Sequence, residues 1–74
     1  MEKINTILVK TFKITNDEAT MNLSMNNVAR WDSITHMDLI VTIENDFHIT
    51  LSGDDIAEMI TFDAIRHIVK TYIS

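Results

Sequence analysis

The feature that most constrains this chain is the stretch from Trp31 to Phe47, WDSITHMDLIVTIENDF. Arranged as an α-helix, with about 100° between successive residues, it carries apolar side chains on two faces. One face has the spacing of a core-facing stripe and consists of Leu39, Ile40, Ile43 and Phe47. The other lies roughly opposite and consists of Ile34, Met37 and Val41. A helix with one buried face and a second apolar face is therefore predicted here.

The second face needs an explanation, because on a single-layer fold it stands in water. It is bordered by Asp38, Glu44 and Asn45. Single apolar residues on a surface are normal. A row of three beside acids at the start of a helix is instead typical of a docking surface. Periodicity alone leaves both interpretations open.

The N-terminus of this helix carries a sequence motif. Asp32 and Ser33 are both good N-cap residues, and on the dipeptide alone a simple cap is the expected interpretation. The sequence Asp32-Ser33-Ile34, followed by Asp38-Leu39, Ile43-Glu44 and Phe47, resembles the acyl carrier protein family. The hallmark of that family is Asp-Ser-Leu or Asp-Ser-Ile at the start of the second helix. Chain length and helix order match as well.

This resemblance implies that Ser33 carries 4′-phosphopantetheine covalently, beside Asp32 of the same motif. A phosphopantetheinyl transferase would move the arm from coenzyme A onto the Ser33 hydroxyl, and the helix N-terminus would tolerate the phosphodiester charge. The thiol of the arm would hold acyl groups as thioesters, supplied by an acyl ligase or acyltransferase. Ser33 is then an attachment point, and the chain is a carrier with no catalytic residues of its own.

The second apolar face would then dock partner enzymes through Ile34, Met37 and Val41, while Asp38 and Glu44 pair with basic residues on those partners. The chain departs from the family at Thr35, where the fatty acid biosynthesis carriers have an acid, and at Asn45, within their glutamate run. The sparser acids favour a dedicated pathway, and Trp31 directly before the Asp-Ser pair resembles the stand-alone carriers of specialised pathways. An aminoacyl or peptidyl carrier and an unmodified helical interaction module stay open as alternatives.

Composition agrees with a small module. Seventy-four residues make a single domain, 1–74, which is expected to be a monomer. The formal net charge of −5 argues against nucleic acid as a partner. The sequence has no cysteine, no apolar run long enough to span a bilayer and no recognisable leader, so a cytoplasmic location without membrane contact is expected.

Other chemistry is less well supported. Asp32, Ser33 and His36 have the residue types of a catalytic triad, but Asp32 is poorly placed to orient the far nitrogen of the ring. We expect His36 to be partly buried and hydrogen-bonded, and Trp31 to be a packing residue. No metal site is expected, because the histidines are scattered.

The fold predicted from these patterns is all-α, with three long helices and one short, and the resemblance implies that they form a four-helix acyl-carrier-like bundle. The first helix covers 2–15, and a long loop covers 16–31, with room for one helical turn. Its candidate anchors on the core are Met21, Leu23, Met25 and Val28. The short helix covers about 54–60, capped by Ser52, with Ile56, Met59 and Ile60 inward. The last helix follows Thr61 and faces inward through Phe62, Ile65, Ile68, Val69, Tyr72 and Ile73.

Overall fold

The computed structural model describes residues 2–73, and the regular structure in that range is helical apart from one isolated bridge. The helices are α1 (Glu2–Phe12), α2 (Asn16–Ala19), α3 (Ser33–Phe47), α4 (Gly53–Glu58) and α5 (Phe62–Ile73). The domain measures 26 × 24 × 18 Å along its three principal axes. The all-α class is confirmed. The described residues form five helices and not the four predicted, because the predicted loop begins with the one-turn α2, the helical turn for which that loop had room.

The extra helix has a local cause. α1 ends at Phe12, three residues earlier than predicted, and Lys13 then adopts a left-handed backbone with φ 57°. Thr15 starts α2 through a capping box: its hydroxyl accepts from the Glu18 N–H at 3.1 Å, and the Glu18 carboxylate accepts from the Thr15 N–H at 3.0 Å. These two reciprocal hydrogen bonds close one helical turn. A turn of this length is too short to be predicted from hydrophobic periodicity.

The rest of the long loop is held to the start of α5. The Met25 N–H donates to the Ile60 carbonyl at 3.0 Å, and the Phe62 N–H donates to the Leu23 carbonyl at 2.8 Å. Val28 is buried, and Leu23 and Met25 are partly buried, as predicted. Met21 is 52% exposed, so its predicted role as an anchor is wrong. Backbone pairing, and not only side-chain burial, therefore fixes this loop.

Arg66 supplies a second tether for the loop. Its guanidinium donates to the carbonyls of Ala19 and, at 3.5 Å, Met21. It also donates to the side chains of Asn5 at 3.4 Å and Asp63 at 3.1 Å. Arg66 therefore joins α1, α2 and the loop to α5.

The core is one cluster to which every long helix contributes. At its centre the rings of Phe12, Trp31 and Phe62 lie together, with Phe12 4.8 Å from Trp31 and Trp31 5.6 Å from Phe62 between centroids. Trp31 is buried, which confirms its packing role. These contacts fix the end of the loop directly before α3 and so determine where the helix starts.

The third and fourth predicted helices need small corrections. α4 ends at Glu58, and Met59 leaves the helical conformation with ψ 57° while its side chain remains buried. Ile60 is therefore turned outward and is 50% exposed, so its predicted inward position is wrong. Ile73, at the end of α5, is 45% exposed and does not extend the core face. Within residues 2–73, no helix has the length and apolar character needed to cross a bilayer.

Candidate functional site

The start of α3 is fixed by a second capping box. One Asp32 carboxylate oxygen accepts from the N–H groups of Ile34 at 3.0 Å and Thr35 at 2.9 Å. The Thr35 hydroxyl in turn accepts from the Asp32 N–H at 2.8 Å and donates to the Arg30 carbonyl. Ser33 is thereby held as the first residue of the helix. Thr35, where the sequence departs from the pattern of the fatty acid biosynthesis carriers, thus has a structural role.

The same hydrogen bonds set the charge of Asp32. The backbone N–H of Thr35 is the main cause that lowers the pKa of the Asp32 carboxyl below its ordinary value, and the Thr35 hydroxyl and the Ile34 N–H act in the same direction. Asp32 is therefore ionised at neutral pH. Its negative charge lies at the positive end of the helix dipole, where a carboxylate is favoured.

Ser33 itself is exposed, and its hydroxyl has no hydrogen-bond partner among residues 2–73. A free hydroxyl on the first turn of a helix is accessible to an approaching enzyme. The N–H groups of Ile34 and Thr35 already bind Asp32. A negative group added to Ser33 would therefore be favoured by the helix dipole, and not by these two amides as donors.

His36 lies beside Ser33 in sequence but is directed elsewhere. Its Nδ1 accepts a hydrogen bond from the indole N–H of Trp31 at 3.0 Å, and its Nε2 is 2.9 Å from the Ile56 carbonyl. Since a carbonyl only accepts, Nε2 must donate, which assigns the tautomer with hydrogen on Nε2. Both ring nitrogens are occupied, so His36 is not a base for Ser33. The expected partly buried, hydrogen-bonded histidine is confirmed.

The two-faced helix predicted from the sequence is present. On the core face of α3, Leu39, Ile40 and Ile43 are buried and Phe47 is partly buried. On the opposite face Ile34 is 72% exposed and Met37 and Val41 are each 51% exposed. We call Ile34, Met37 and Val41 the α3 stripe. It begins at the residue after Ser33 and runs along the outer side of the helix.

The two acids expected to border the α3 stripe differ in their surroundings. Asp38 is exposed, and its carboxylate has no partner among the described residues. Glu44 is only partly exposed, and its carboxylate accepts from the Leu51 N–H at 2.9 Å. This bond ties the connector after α3 back to the helix. Sequence periodicity gave no sign of it, because a partner seven residues away lies outside the helix.

The structure also shows a groove that the sequence did not predict. It lies between α1 and α3, has a volume of about 540 Å³ and is lined by Lys3, Thr6, Ile7, Lys10, Thr11, Thr42 and Asp46. Nine residues separate Ser33 from Thr42, which is about 13 Å along a helix axis. The groove is therefore separate from the serine. Among residues 2–73, no three metal-binding side chains come together.

Together these features define a class: a small helical domain that presents an unbonded serine at a capped helix start, beside an exposed apolar stripe. The chain is 27% identical over 62 residues to the acyl carrier protein of Petrotoga mobilis, and the match covers 84% of this chain and 73% of that protein. No protein-family model matches the chain.

Proposed function

We propose that this protein is an acyl carrier protein whose Ser33 is the attachment point for 4′-phosphopantetheine. The observation that carries the proposal is the Ser33 hydroxyl, exposed and unbonded on the first turn of a helix fixed by Asp32 and Thr35. The 27% identical carrier from Petrotoga mobilis supports it. Ser33 is the acceptor of the arm, and a phosphopantetheinyl transferase supplies the catalysis.

The residues around Ser33 suit this role. The capping box fixes Ser33 as the first residue of α3, so that its hydroxyl is presented at the start of the helix. Trp31 and His36 are hydrogen-bonded to each other on the core side of this turn, and neither bonds to the Ser33 hydroxyl. Bound there, phosphopantetheine would supply a terminal thiol that forms thioesters with acyl groups. No residue of this chain needs to act in bond making once the arm is attached.

Partner enzymes belong to the same proposal. The α3 stripe, with Asp38 and Glu44 as the acids predicted beside it, would be the surface that transferase, acyl ligase or acyltransferase contact. The pathway, whether fatty acid biosynthesis or a specialised one, and the cytoplasmic location expected from the sequence are predictions. So is the monomeric state.

The test is the intact mass of the purified protein after incubation with coenzyme A and phosphopantetheinyl transferases of broad specificity. We expect a gain of one phosphopantetheine for the unaltered protein and none for Ser33→Ala. A folded protein that no transferase modifies would contradict the proposal and leave a helical interaction module that binds partners through the α3 stripe. Ligase assays with fatty and amino acids then separate an acyl carrier from an aminoacyl carrier.

A further inference from the structure

We propose that Thr35 is a positioning residue for the modification of Ser33, an inference that rests on the proposed function. The Thr35 hydroxyl joins the two peptide groups that flank Trp31 to the first turn of α3. These bonds fix the angle at which the helix leaves the loop. They therefore also fix the direction in which the Ser33 hydroxyl meets the transferase.

The first observation is the pair of hydrogen bonds that the Thr35 hydroxyl makes. It accepts from the Asp32 N–H at 2.8 Å and donates to the Arg30 carbonyl at 2.5 Å. A hydroxyl has one hydrogen to donate, and two other acceptors, the carbonyl and one carboxylate oxygen of Asp32, lie farther away at 3.2 Å. The Arg30 carbonyl is therefore the main acceptor. One side chain thus holds the backbone both before and after Trp31.

The second observation is the backbone of Asp32, the residue directly before Ser33. Asp32 is extended, with φ −122° and ψ −172°, and Ser33 is the first helical residue. These two angles set the direction of α3 relative to the loop. On the loop side Trp31 is buried and bonded to His36. The Thr35 hydroxyl connects this fixed segment to the helix across the turn, and so holds both angles.

The capping box of α2 shows what an acid does at the corresponding position. There the Glu18 carboxylate accepts from the Thr15 N–H at 3.0 Å and from the Thr15 hydroxyl at 3.2 Å. A carboxylate has no hydrogen to donate. Glutamate at position 35 could accept from the Asp32 N–H in the same way, but it could not hold the Arg30 carbonyl. The pair of bonds at α3 requires a side chain that both accepts and donates, as threonine and serine do.

The proposed reaction makes this direction important. The Ser33 oxygen bonds to the phosphorus of coenzyme A that bears the pantetheine arm. The bond from this phosphorus to the bridging oxygen of the diphosphate breaks, and adenosine bisphosphate leaves with the electron pair. The hydroxyl proton passes to a base of the transferase. Because the attacking and leaving oxygens lie roughly in line, the rate of transfer depends steeply on the orientation of the serine.

The experiment follows the modification of the full chain in a single turnover, with coenzyme A saturating and the transferase in excess. Intact mass at successive times gives a rate constant. Its dependence on transferase concentration gives a maximal rate constant, which reports transfer, and a half-saturating concentration, which reports docking. Thr35→Val removes both hydrogen bonds. We expect it to lower the maximal rate constant about ten- to hundredfold and to change the half-saturating concentration by less than about twofold.

Three further variants make the test specific. Thr35→Ser keeps the donor and the acceptor and should stay within about threefold of the wild type. Thr35→Glu keeps the acceptor, and with it the capping box, and should lower the maximal rate constant at least about threefold. Thr42→Val is the matched control, because Thr42 lies about two turns further along α3 and its hydroxyl donates to the Asp38 carbonyl at 2.8 Å. It should leave both values unchanged.

Urea unfolding, followed by Trp31 fluorescence, shows which variants are folded where the rates are compared, and Thr35→Glu decides the test if Thr35→Val is not folded. A wild-type maximal rate constant in Thr35→Val or Thr35→Glu overturns the inference. A loss in Thr35→Ser as large as in Thr35→Val does so too, as does an effect of Thr35→Val confined to the half-saturating concentration. In each of these results Ser33 is still modified, so the proposed function stands. If no transferase modifies the folded wild type, the proposed function fails and this inference with it.

Discussion

The indole N–H of Trp31 donates to Nδ1 of His36 at 3.0 Å, and the two rings stack with centroids 6.1 Å apart. The opposite nitrogen of His36 donates to the Ile56 carbonyl at 2.9 Å. One imidazole thus connects the end of the loop, the first turn of α3 and α4. Since Ser33 lies between Trp31 and His36, this connection also sets its position.

We expect His36→Ala to destabilise the protein by about 1–3 kcal/mol, because the indole N–H and the Ile56 carbonyl lose their partners in a partly buried place. Urea unfolding followed by the fluorescence of Trp31, the single tryptophan, measures this directly. His67→Ala is the control, since His67 is exposed, and should stay within about 0.5 kcal/mol. Equal stability of the two variants would contradict the role given to His36.

The capping carboxylate predicts a pH dependence. Folding lowers the pKa of Asp32, so the stabilisation by its ionised form is complete above the ordinary carboxyl pKa of about 3.9. It is lost as the pH falls through the lowered pKa. Asp32→Asn keeps a capping oxygen without the charge. The difference in unfolding free energy between wild type and Asp32→Asn should therefore shrink between about pH 7 and pH 3. A difference that does not change with pH contradicts this.

We expect Arg66 to contribute more to the free energy of unfolding than its one ion pair, with Asp63, would suggest. Arg66→Met removes the donors to the Ala19 and Met21 carbonyls and to Asn5, and is expected to cost about 2–3 kcal/mol. Asp63→Asn removes the exposed ion pair and the acid in the first turn of α5, and should cost at most about 1 kcal/mol.

The Arg66 variant should also loosen the loop. Amide hydrogen exchange at Met25 and Phe62, whose N–H groups join the loop to the start of α5, is expected to become faster in Arg66→Met. Unchanged exchange at both amides would mean that Arg66 does not hold the loop.

The end of α3 offers a stabilising change. His48 caps the helix in a left-handed conformation with φ 56°, which a residue with a Cβ adopts at a cost, and its side chain is exposed. His48→Gly should raise stability by about 0.5–1 kcal/mol, or roughly 2–8 °C in Tm. His48→Ala keeps the strain and should bring no gain. A gain of equal size in both variants would contradict the backbone explanation.

Much of this fold was predictable from periodicity. The buried Leu39, Ile40 and Ile43 and the exposed α3 stripe follow from the angle between residues on a helix, and the packing role of Trp31 follows from its position beside a helix start. Ile60 and Ile73 were placed wrongly because periodicity says where a side chain points within a helix but not where the helix stops. α4 ends at Glu58, before Ile60, and Ile73, the last residue of α5, lies past the edge of the core.

What could not be predicted are contacts between segments far apart in the chain. The bond from Leu51 to Glu44 and the tethers made by Arg66 both depend on how the helices are arranged in space. The exposed serine at the capped start of α3 was predictable, because a cap is a local structure.

The most direct test of the central claim is to locate the added group. Trypsin cleaves after Arg30 and Arg66, and the peptide between them contains two serines, Ser33 and Ser52, each at the start of a helix. After reaction with coenzyme A and a transferase, fragmentation of this peptide should place the phosphopantetheine on Ser33 in the wild type and in Ser52→Ala, and remove it in Ser33→Ala. Phosphopantetheine on Ser52, or its persistence in Ser33→Ala, would contradict the assignment of Ser33.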